Sequence, residues 1–483
     1  MSKTFNTASA PGREHRGMDT HAATSTASPP SSRPGRPPGP SSRWFGLPLL
    51  SELQRDYLGV TARLRAQYGD ITYAHVAFEH AYDVFSPELV RELLVGNADG
   101  LVRWERGLEV FEQLMGQSVL VTEGEVWQRQ RRLLQPGFSP RRVAGYAALM
   151  SDSAAKGLDA ALPAGAPEGR VDMDTLFTRL AMDVILRTLF SSEASDESTR
   201  AIGAVQVASE AAFREMFLPM TLPDWLPLPG KAAKRGALRT LRNLVDGHIA
   251  ARRAAGPAEH DDLLGMLLSA RDEATGEGLS AQEVHDQCMV TFQAGHETSA
   301  TALLWWSRLI AAEPEALARA RREVDEVLQG ATPTAADMAR LPWLTATLKE
   351  AMRLYPPIPA LMSRRTTREI QLGPWRIPKG ALMRVTPWVI HRDGHHFEHP
   401  DRFMPQRFTD PGDKAPRGAW LAFGTGPRVC IGQHFAMLEM TVIAAMLLQR
   451  YDLQLPEDAP ACEPVMHVTL RPKDGVTLVL RRR

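Results

Sequence analysis

One cysteine lies in a ten-residue stretch whose residue types could hold a metal-bound cofactor. The stretch reads Phe-Gly-Thr-Gly-Pro-Arg-Val-Cys-Ile-Gly and covers residues 423–432. Its glycines and proline predict a tight loop, and the apolar residues that follow Cys430 recur at helical spacing. The thiol is therefore expected at a helix N-terminus, where partial positive charge favours a thiolate. A thiolate held beside a cation such as Arg428 is a suitable axial ligand for haem iron.

A second stretch has the residue types of a proton relay. Glu297 and Thr298 follow two small residues, Ala294 and Gly295, against which a flat ring could lie. A hydroxyl beside a carboxylate in an apolar segment can pass protons, and oxygen activation consumes two of them. His296 between them is interpreted as a polar residue on the solvent side. The alternative for the pair is an exposed glutamate beside a threonine that bonds back to a backbone carbonyl.

The element that must position this relay is a long helix. Ser280-Ala-Gln-Glu283 is a capping box, and the helix that it opens can continue to about Glu313, just before Pro314. Such a helix has roughly 33 residues and a length of about 50 Å. It is long enough to cross a whole domain.

Two further groups of residues have spacings that bring their side chains together. Glu350 and Arg353 lie three apart on a predicted helix and can form a buried ion pair, and Arg407 is another arginine in a loop downstream. Trp127 and Arg131 place an indole donor and a guanidinium group one helical turn apart. For Arg131 the alternative is a stray arginine on a surface helix.

Taken together and in this order, these motifs resemble those of the cytochrome P-450 superfamily of haem-thiolate monooxygenases. The patterns are Trp-x-x-x-Arg, Ala-Gly-x-Glu-Thr-Ser, Glu-x-x-Arg, Phe-x-Pro-x-Arg-Phe and Phe-x-x-Gly-x-Arg-x-Cys-x-Gly, and the resemblance covers about residues 44–483. A lone cysteine is usually a small core residue, but five other constrained positions surround this one.

The resemblance implies a fold, a cofactor and a set of site residues. The fold is mainly α with small β-sheets (α+β), triangular, with haem b between the long central helix and the helix after the cysteine loop. Cys430 is then the metal ligand, while Glu297 and Thr298 are the catalytic residues. The charges of Glu350, Arg353 and Arg407 are implied to interlock and to fix the segment that carries Cys430. Arg364 is implied as a further propionate ligand, with Arg365 as the substitute if the register is off by one. The implied cofactor-binding residues are Trp127, Arg131, Ala294, Gly295, Arg364, Phe423, Gly424, Arg428, Cys430 and Gly432.

The implied function is the insertion of one oxygen atom from O2 into a C–H bond of an apolar small molecule, such as a fatty acid, terpenoid or polyketide. Electrons would come from a separate donor, a ferredoxin or flavodoxin with its reductase. Two alternatives stay open. One is a peroxide-using peroxygenase of the same fold, against which the Glu297-Thr298 pair argues, and the other is a non-catalytic haem-thiolate sensor or carrier.

Composition narrows the class of protein. Basic and acidic residues balance at 56 each among 483 residues, which argues against nucleic-acid binding. The three cysteines are widely spaced and odd in number, so they indicate no disulfide framework and suit a cytoplasmic location. No uncharged apolar run is long enough for a transmembrane segment.

The chain is predicted to be one domain, residues 44–483, behind a disordered tail rich in Ser, Pro and Arg, residues 1–43. Ser86-Pro87 and Ser139-Pro140 are predicted helix starts, residues 70–78 alternate as a strand, and residues 468–480 are predicted to form a hairpin that turns at Asp474-Gly475. An apolar loop within residues 213–229 is expected to cover the substrate channel. A basic face, which would dock an acidic electron donor, is expected from Arg129, Arg131, Arg132, Arg141 and Arg142.

Overall fold

The structure, a computed structural model, describes residues 35–41, 43–193, 195–218, 220–255, 261–273, 275–409 and 418–483. The predicted disordered tail lies mostly outside these residues. Its last part is ordered, because the carbonyl of Pro38 accepts a hydrogen bond from the amide of Tyr73 (2.9 Å) and the Arg36 guanidinium lies 5.1 Å from the centre of the Tyr73 ring. The packed part of the chain therefore begins before residue 44, and the predicted boundary is too late.

Helices make up most of the described chain. The α-helices, in chain order, are α1 Leu47–Arg55, α2 Tyr57–Tyr68, α3 Pro87–Arg91, α4 Glu105–Met115, α5 Gly124–Leu134, α6 Pro140–Gly145, α7 Ala147–Asp159, α8 Met173–Phe190, α9 Asp196–Met216, α10 Lys231–Ala254, α11 Leu263–Ser269, α12 Ala281–Ala311, α13 Pro314–Leu328, α14 Pro342–Leu354, α15 Pro387–Ile390 and α16 Gln433–Arg450.

The strands are short and form small sheets. They are β1 Ile71–Val76, β2 Glu79–Val84, β3 Leu101–Arg103, β4 Glu168–Asp172, β5 Arg364–Thr366, β6 Ile370–Leu372, β7 Trp375–Ile377, β8 Leu382–Val385, β9 Tyr451–Gln454, β10 Pro464–Met466, β11 Leu470–Pro472 and β12 Thr477–Arg482. The largest sheet has the order β1-β2-β8-β5-β3, and the others are β4-β12-β9, β10-β11 and β6-β7. The mainly helical fold with small sheets is thus confirmed.

Local capping explains where several helices begin. Ser86 and Ser139 accept hydrogen bonds from backbone amides three residues later, and each is followed by proline at the first helical position. Ser280 and Glu283 form the predicted capping box of α12, so both ends of the box satisfy amides that the helix itself leaves unpaired. The central helix has 31 residues and ends two residues before the predicted position.

The main hydrophobic core lies around α12, which packs most extensively on α8 and also contacts α14 and α16. Trp305 and Trp306 are fully buried. The indole of Trp306 donates to the Thr347 hydroxyl of α14 at 2.9 Å, and the Trp305 ring stacks on Tyr355 with centroids 3.7 Å apart. These contacts fix the second half of α12, and with it the positions of Glu297 and Thr298 along the helix axis.

The predicted C-terminal hairpin is wrong. A turn with positive φ at Gly475 follows Asp474, but the strands on its two sides do not pair with each other. β11 pairs with β10, whereas β12 pairs with β4 and β9. Turn chemistry is local, but Val479 of β12 lies opposite Arg170 of β4 and Gln454 of β9, and the alternating pattern does not reveal either partner.

Candidate functional site

The cysteine loop, residues 423–432, has the tight conformation that its glycines predict. Gly424 and Gly426 have φ of 73° and 76°, and a Cβ atom on Gly426 would lie 2.2 Å from the Leu94 carbonyl oxygen. The Cys430 amide donates to the Phe423 carbonyl over 3.0 Å. The loop then enters α16, for which Gly432 is the N-cap. Glycine is required at 426 both for backbone conformation and for the close approach.

Cys430 is exposed although the loop and α16 lie in the interior. Ala294 on α12 is also exposed in the middle of a buried helix, and α12 contacts α16, the helix that the cysteine loop enters. We infer that the two exposed residues border one space between α12 and the cysteine loop, and we call this space the cleft. Surrounding protein raises the pKa of the Cys430 thiol, while the Gly432 amide and the Arg131 guanidinium lower it in part. The helix terminus alone therefore does not produce a thiolate; a bound metal cation would supply the missing positive charge.

Four arginines converge near the cleft. Burial lowers the pKa of Arg131, of Arg364 and of Arg428, in the last case to about 10. Arg428 donates to the Thr122 carbonyl at 3.0 Å and to the Glu123 carboxylate at 2.5 Å. Its guanidinium lies 3.8 Å from the centre of the Trp127 ring, so Trp127 meets the arginine through its ring face.

The fourth arginine, Arg103, was not found by sequence reasoning. It is 6% exposed, and its Nε and Nη1 atoms donate to no described residue. Burial, and then repulsion by Arg428 and Arg364, lower the pKa of Arg103 well below its usual value. Arg103 pairs directly with Arg364 across β3 and β5, a register that the sequence alone does not show.

These groups fit an acidic cofactor edge. Glu123 is the one carboxylate that acts on Arg103, Arg364 and Arg428 in the described residues. One negative charge against several guanidinium groups leaves buried donors unsatisfied, which is costly. The two propionates of a haem would supply both acceptors and charge. The donor set and the thiol together therefore fit this cofactor.

The neighbouring Arg365 points elsewhere. It forms ion pairs with Glu79 (2.6 Å) and Glu105 (2.9 Å), and the hydrogen bonds with Glu79 raise its pKa. Of the two candidates at this position, Arg364 is the one that faces the arginine cluster.

On α12, Ala294 and Thr298 lie on one face, four residues apart. The Thr298 hydroxyl donates to the Ala294 carbonyl over 2.8 Å. Gly295 lies toward α8, since a Cβ there would come within 2.8 Å of Ile185. Helix packing thus explains the glycine at 295, whereas the small residue at 294 borders the cleft.

Glu297 points away from Thr298. Its two carboxylate oxygens accept from Ser209 of α9 (3.1 Å) and from Thr469 (2.8 Å). Burial raises the pKa of Glu297, while the Thr469 hydroxyl, the Arg471 cation and the Ser209 hydroxyl lower it in part. Consecutive helix positions differ by about 100°, so the two groups share no direct hydrogen bond here. Protons can pass between them only after a side-chain rotation or through water.

The interpretation of His296 is wrong. The residue is 1% exposed, not on the solvent side. Its Nδ1 atom lies 2.7 Å from the Phe292 carbonyl, so it carries a proton there, and burial lowers its pKa to about 4. The ring is therefore neutral and packed at physiological pH.

The three charges behind the cysteine loop interlock as predicted. Arg353 binds Glu350 through two hydrogen bonds of 2.8 Å, and both side chains are 0% exposed. Arg407 Nε adds a longer contact to Glu350 at 3.4 Å. The remaining donors of Arg353 bind the carbonyls of His391 (2.6 Å) and Pro400 (2.7 Å), so the ion pair is nearly saturated.

His391 connects this ion pair to the cysteine loop, and sequence reasoning did not find it. Its Nε2 atom accepts from the Leu421 amide at 2.7 Å, and its Nδ1 atom lies 3.0 Å from the Arg353 carbonyl. The first contact requires an unprotonated Nε2 and the second a proton on Nδ1. Burial, then the Arg353 charge, lower the pKa of His391 to about 3.

The predicted basic face is largely neutralised. Arg129 is paired with Glu283, Arg132 with Asp272 (2.9 Å) and Arg142 with Asp261. Arg131 belongs to the arginine cluster instead. These five arginines therefore do not form a free cationic patch in the described part of the chain.

Comparisons with known proteins agree with this geometry. The family model described as "Cytochrome P450" matches residues 37–479. The cyclooctat-9-en-7-ol 5-monooxygenase of Streptomyces melanosporofaciens is 34% identical over 88% of this chain and 92% of its own length. The pentalenene oxygenase of Streptomyces avermitilis is 31% identical over 81% and 86%. The chloroplastic protein LUTEIN DEFICIENT 5 of Arabidopsis thaliana is 30% identical over 83% and 70%. Across the described residues, no helix is long and apolar enough to cross a membrane.

Proposed function

The chain belongs to the cytochrome P450 family, and on that basis we propose that it hydroxylates a terpenoid. Family membership makes it a haem-binding monooxygenase, an oxidoreductase that uses O2 and a redox partner and acts on apolar small molecules. The observation that carries the choice of terpenoid is the pair of bacterial relatives, whose names give cyclooctat-9-en-7-ol and pentalenene as substrates.

Haem b would be held by Cys430 through sulfur, and by Arg103, Arg131, Arg364 and Arg428 through its propionates. The orphaned Nε and Nη1 atoms of Arg103 support this assignment. Phe423, Gly424 and Gly432 would border it from the cysteine loop, Ala294 would border it from α12, and Trp127 would act through its contact with Arg428; Gly295, which packs on α8, would only support Ala294 from behind. When bound, haem supplies the activation of O2 and the oxidation of the C–H bond.

The chain's own share of the chemistry is proton delivery and the exclusion of water. Thr298 lies on the face of α12 that borders the cleft, with Ala294. Surrounding protein raises the pKa of Glu297, which favours the protonated carboxyl group that a proton donor needs. We assign Thr298 as the group that presents protons on the cleft side and Glu297 as the group that resupplies them.

An apolar substrate is supported by the loop after α9. Leu218, Met220 and Trp225 are 45%, 61% and 74% exposed, an exposed apolar segment of the kind that marks a binding surface. Phe217, at the start of the loop, packs on the cluster around α1. The electron donor would be a ferredoxin or flavodoxin with its reductase, the location would be cytoplasmic, and the packed residues would form a single domain.

Substrate titration followed by turnover tests the proposal. Terpenoid alcohols and hydrocarbons, with fatty acids and polyketide lactones as comparison classes, are added to the purified ferric protein while its spin state is followed in the absorption spectrum. The expected result is a low-to-high-spin shift with a terpenoid and a hydroxylated product that carries ¹⁸O from labelled O2 when a donor protein is present. A shift without turnover would indicate a sensor or carrier, and turnover with hydrogen peroxide alone would indicate a peroxygenase.

A further inference from the structure

Two hydroxyl groups from outside α12 hold the carboxyl group of Glu297. Ser209 reaches it from α9, and Thr469 reaches it from the residue just before β11. Both hydroxyls belong to buried residues, 8% and 1% exposed. Each donates to a different oxygen of the carboxylate, so the orientation of the group is fixed at both ends.

The same two elements also contact each other beside Glu297. Phe213, one helical turn after Ser209, meets His467 edge to face, with ring centroids 6.3 Å apart. The His467 amide in turn donates to the Thr469 carbonyl at 2.9 Å. The two donors of Glu297 are thus tied together by a contact that does not involve α12.

A half-open cavity lined mainly by polar side chains also borders Glu297. It has a volume of about 240 Å³ and is bordered by residues of α8, α9, α12 and β11. Asp174 and Arg471 form an ion pair at its wall, and Thr178 and Gln206 contribute further polar groups. A polar space of this size can hold several water molecules, so a proton donor is available to the carboxyl group from this side.

We propose that Ser209 and Thr469 are positioning residues that hold Glu297 between this polar cavity and the cleft. The inference rests on the proton-delivery role proposed for Glu297 above. Each catalytic cycle takes two electrons from the donor protein and two protons from water; one oxygen atom enters the substrate C–H bond and the other leaves as water. Glu297, held in this orientation, releases a proton toward Thr298 through an intervening water molecule and takes another from a water molecule of the cavity.

The first test removes each hydroxyl in the haem-loaded enzyme. Ser209→Ala and Thr469→Val are expected to slow turnover about 3- to 10-fold each, the effect of losing one hydrogen bond, and to increase the solvent isotope effect. Haem content and midpoint temperature should stay unchanged, and Ser209→Thr should restore turnover. Ser307→Ala is the matched control, because it removes a hydroxyl of α12 that binds only the Leu304 carbonyl.

A second measurement reads the carboxyl group directly. The infrared band of Glu297 is identified as the carboxyl band that disappears in Glu297→Gln. It should shift in Ser209→Ala and Thr469→Val, stay in place in Ser307→Ala, and return in Ser209→Thr. This readout does not depend on turnover.

The outcomes separate the two proposals. If Glu297→Gln leaves turnover and the isotope effect unchanged, the role assigned to Glu297 is wrong. If Glu297→Gln slows turnover but Ser209→Ala and Thr469→Val do not, the positioning role alone is overturned. A band that does not move in either variant overturns it as well, and so does a band that moves while turnover stays at the wild-type rate.

Discussion

The cysteine loop is held by backbone hydrogen bonds and a nearly saturated buried ion pair, whereas Glu297 and Thr298, across the cleft on α12, are held by only one or two hydroxyl hydrogen bonds each. Arg353 makes hydrogen bonds with every nitrogen of its guanidinium group. Glu297 and Thr298 together make three hydrogen bonds that involve a hydroxyl group, none of them to each other. The first arrangement suits a metal ligand, which must not move, and the second suits groups that must exchange protons and therefore change partners.

The largest effect is expected from a substitution in the cysteine loop. Cys430→Ser should abolish the red-shifted absorption band of the reduced carbonyl complex, because serine cannot supply a sulfur ligand. The measurement is a reduced carbonyl difference spectrum of the purified variant. Cys462→Ser, which changes a half-buried cysteine outside the cysteine loop, should keep the band. A normal band in Cys430→Ser would mean that the thiolate is misassigned.

Arg353→Lys should destabilise the fold next most strongly. Lysine keeps the positive charge but cannot make the bidentate contact, so buried acceptors on Glu350 and on the backbone carbonyls lose their donors, at about 1–3 kcal/mol each. Denaturant unfolding and the yield of haem-loaded protein measure the effect. Arg340→Lys alters an exposed pair with Asp337, for which about 0–1 kcal/mol is expected. Equal stability of the two variants would contradict the view that the cysteine loop is fixed from behind.

Thr298→Ala tests the proton-carrying groups of α12. It should leave haem content and stability close to wild type, lower product formation about 100-fold, which is within the range for lost proton-transfer catalysis, and raise the share of O2 released as peroxide. Product and peroxide are measured per electron consumed. Thr441→Ala is matched, since Thr441 also donates to a carbonyl four residues earlier, but in α16. If Thr298→Ala still converts every pair of electrons into product, without extra peroxide, the proposed relay is wrong.

The smallest effect is expected from one buried carboxyl group on α16, the helix that follows the cysteine loop. Glu439 on α16 is 1% exposed, its Oε2 has no partner in the described residues, and burial raises its pKa to about 8 although the Ser299 hydroxyl counteracts this. The folded form thus keeps a proton on Glu439 at pH values where the unfolded chain, in which glutamate has its ordinary pKa, has already lost it. The stabilising contribution is complete at acid pH and is lost as pH rises through about 8.

Glu439→Gln should therefore unfold at nearly the same denaturant concentration at pH 5 and pH 9, whereas the wild type should lose stability over that interval, by roughly 1–3 kcal/mol. The surface variant Glu457→Gln should follow the wild type. If Glu439→Gln keeps the wild-type pH dependence, the buried acid is not what sets it.

What could be predicted from the sequence was chemistry carried by neighbouring residues. The capping box of α12, the loop around Cys430 and the pair Glu350–Arg353 each depend on residues a few positions apart. Arg103 and Ser209 were missed because their roles depend on a strand register and on a helix that crosses α12. The hairpin error has the same cause, since β12 lies between β9 and the distant β4 and pairs with neither through the turn at Gly475. The position of His296 was misjudged because one polar residue on a buried helix gives no signal of its own.

The arginine cluster also has a consequence for how the cell makes this protein. Four guanidinium groups around one carboxylate repel each other in a newly synthesised chain, so a ligand with two negative charges that binds only the folded form adds stability in proportion to the logarithm of its concentration. Chains produced faster than porphyrin is supplied should then be the first that proteases degrade, and phosphate should protect them in the test tube better than chloride.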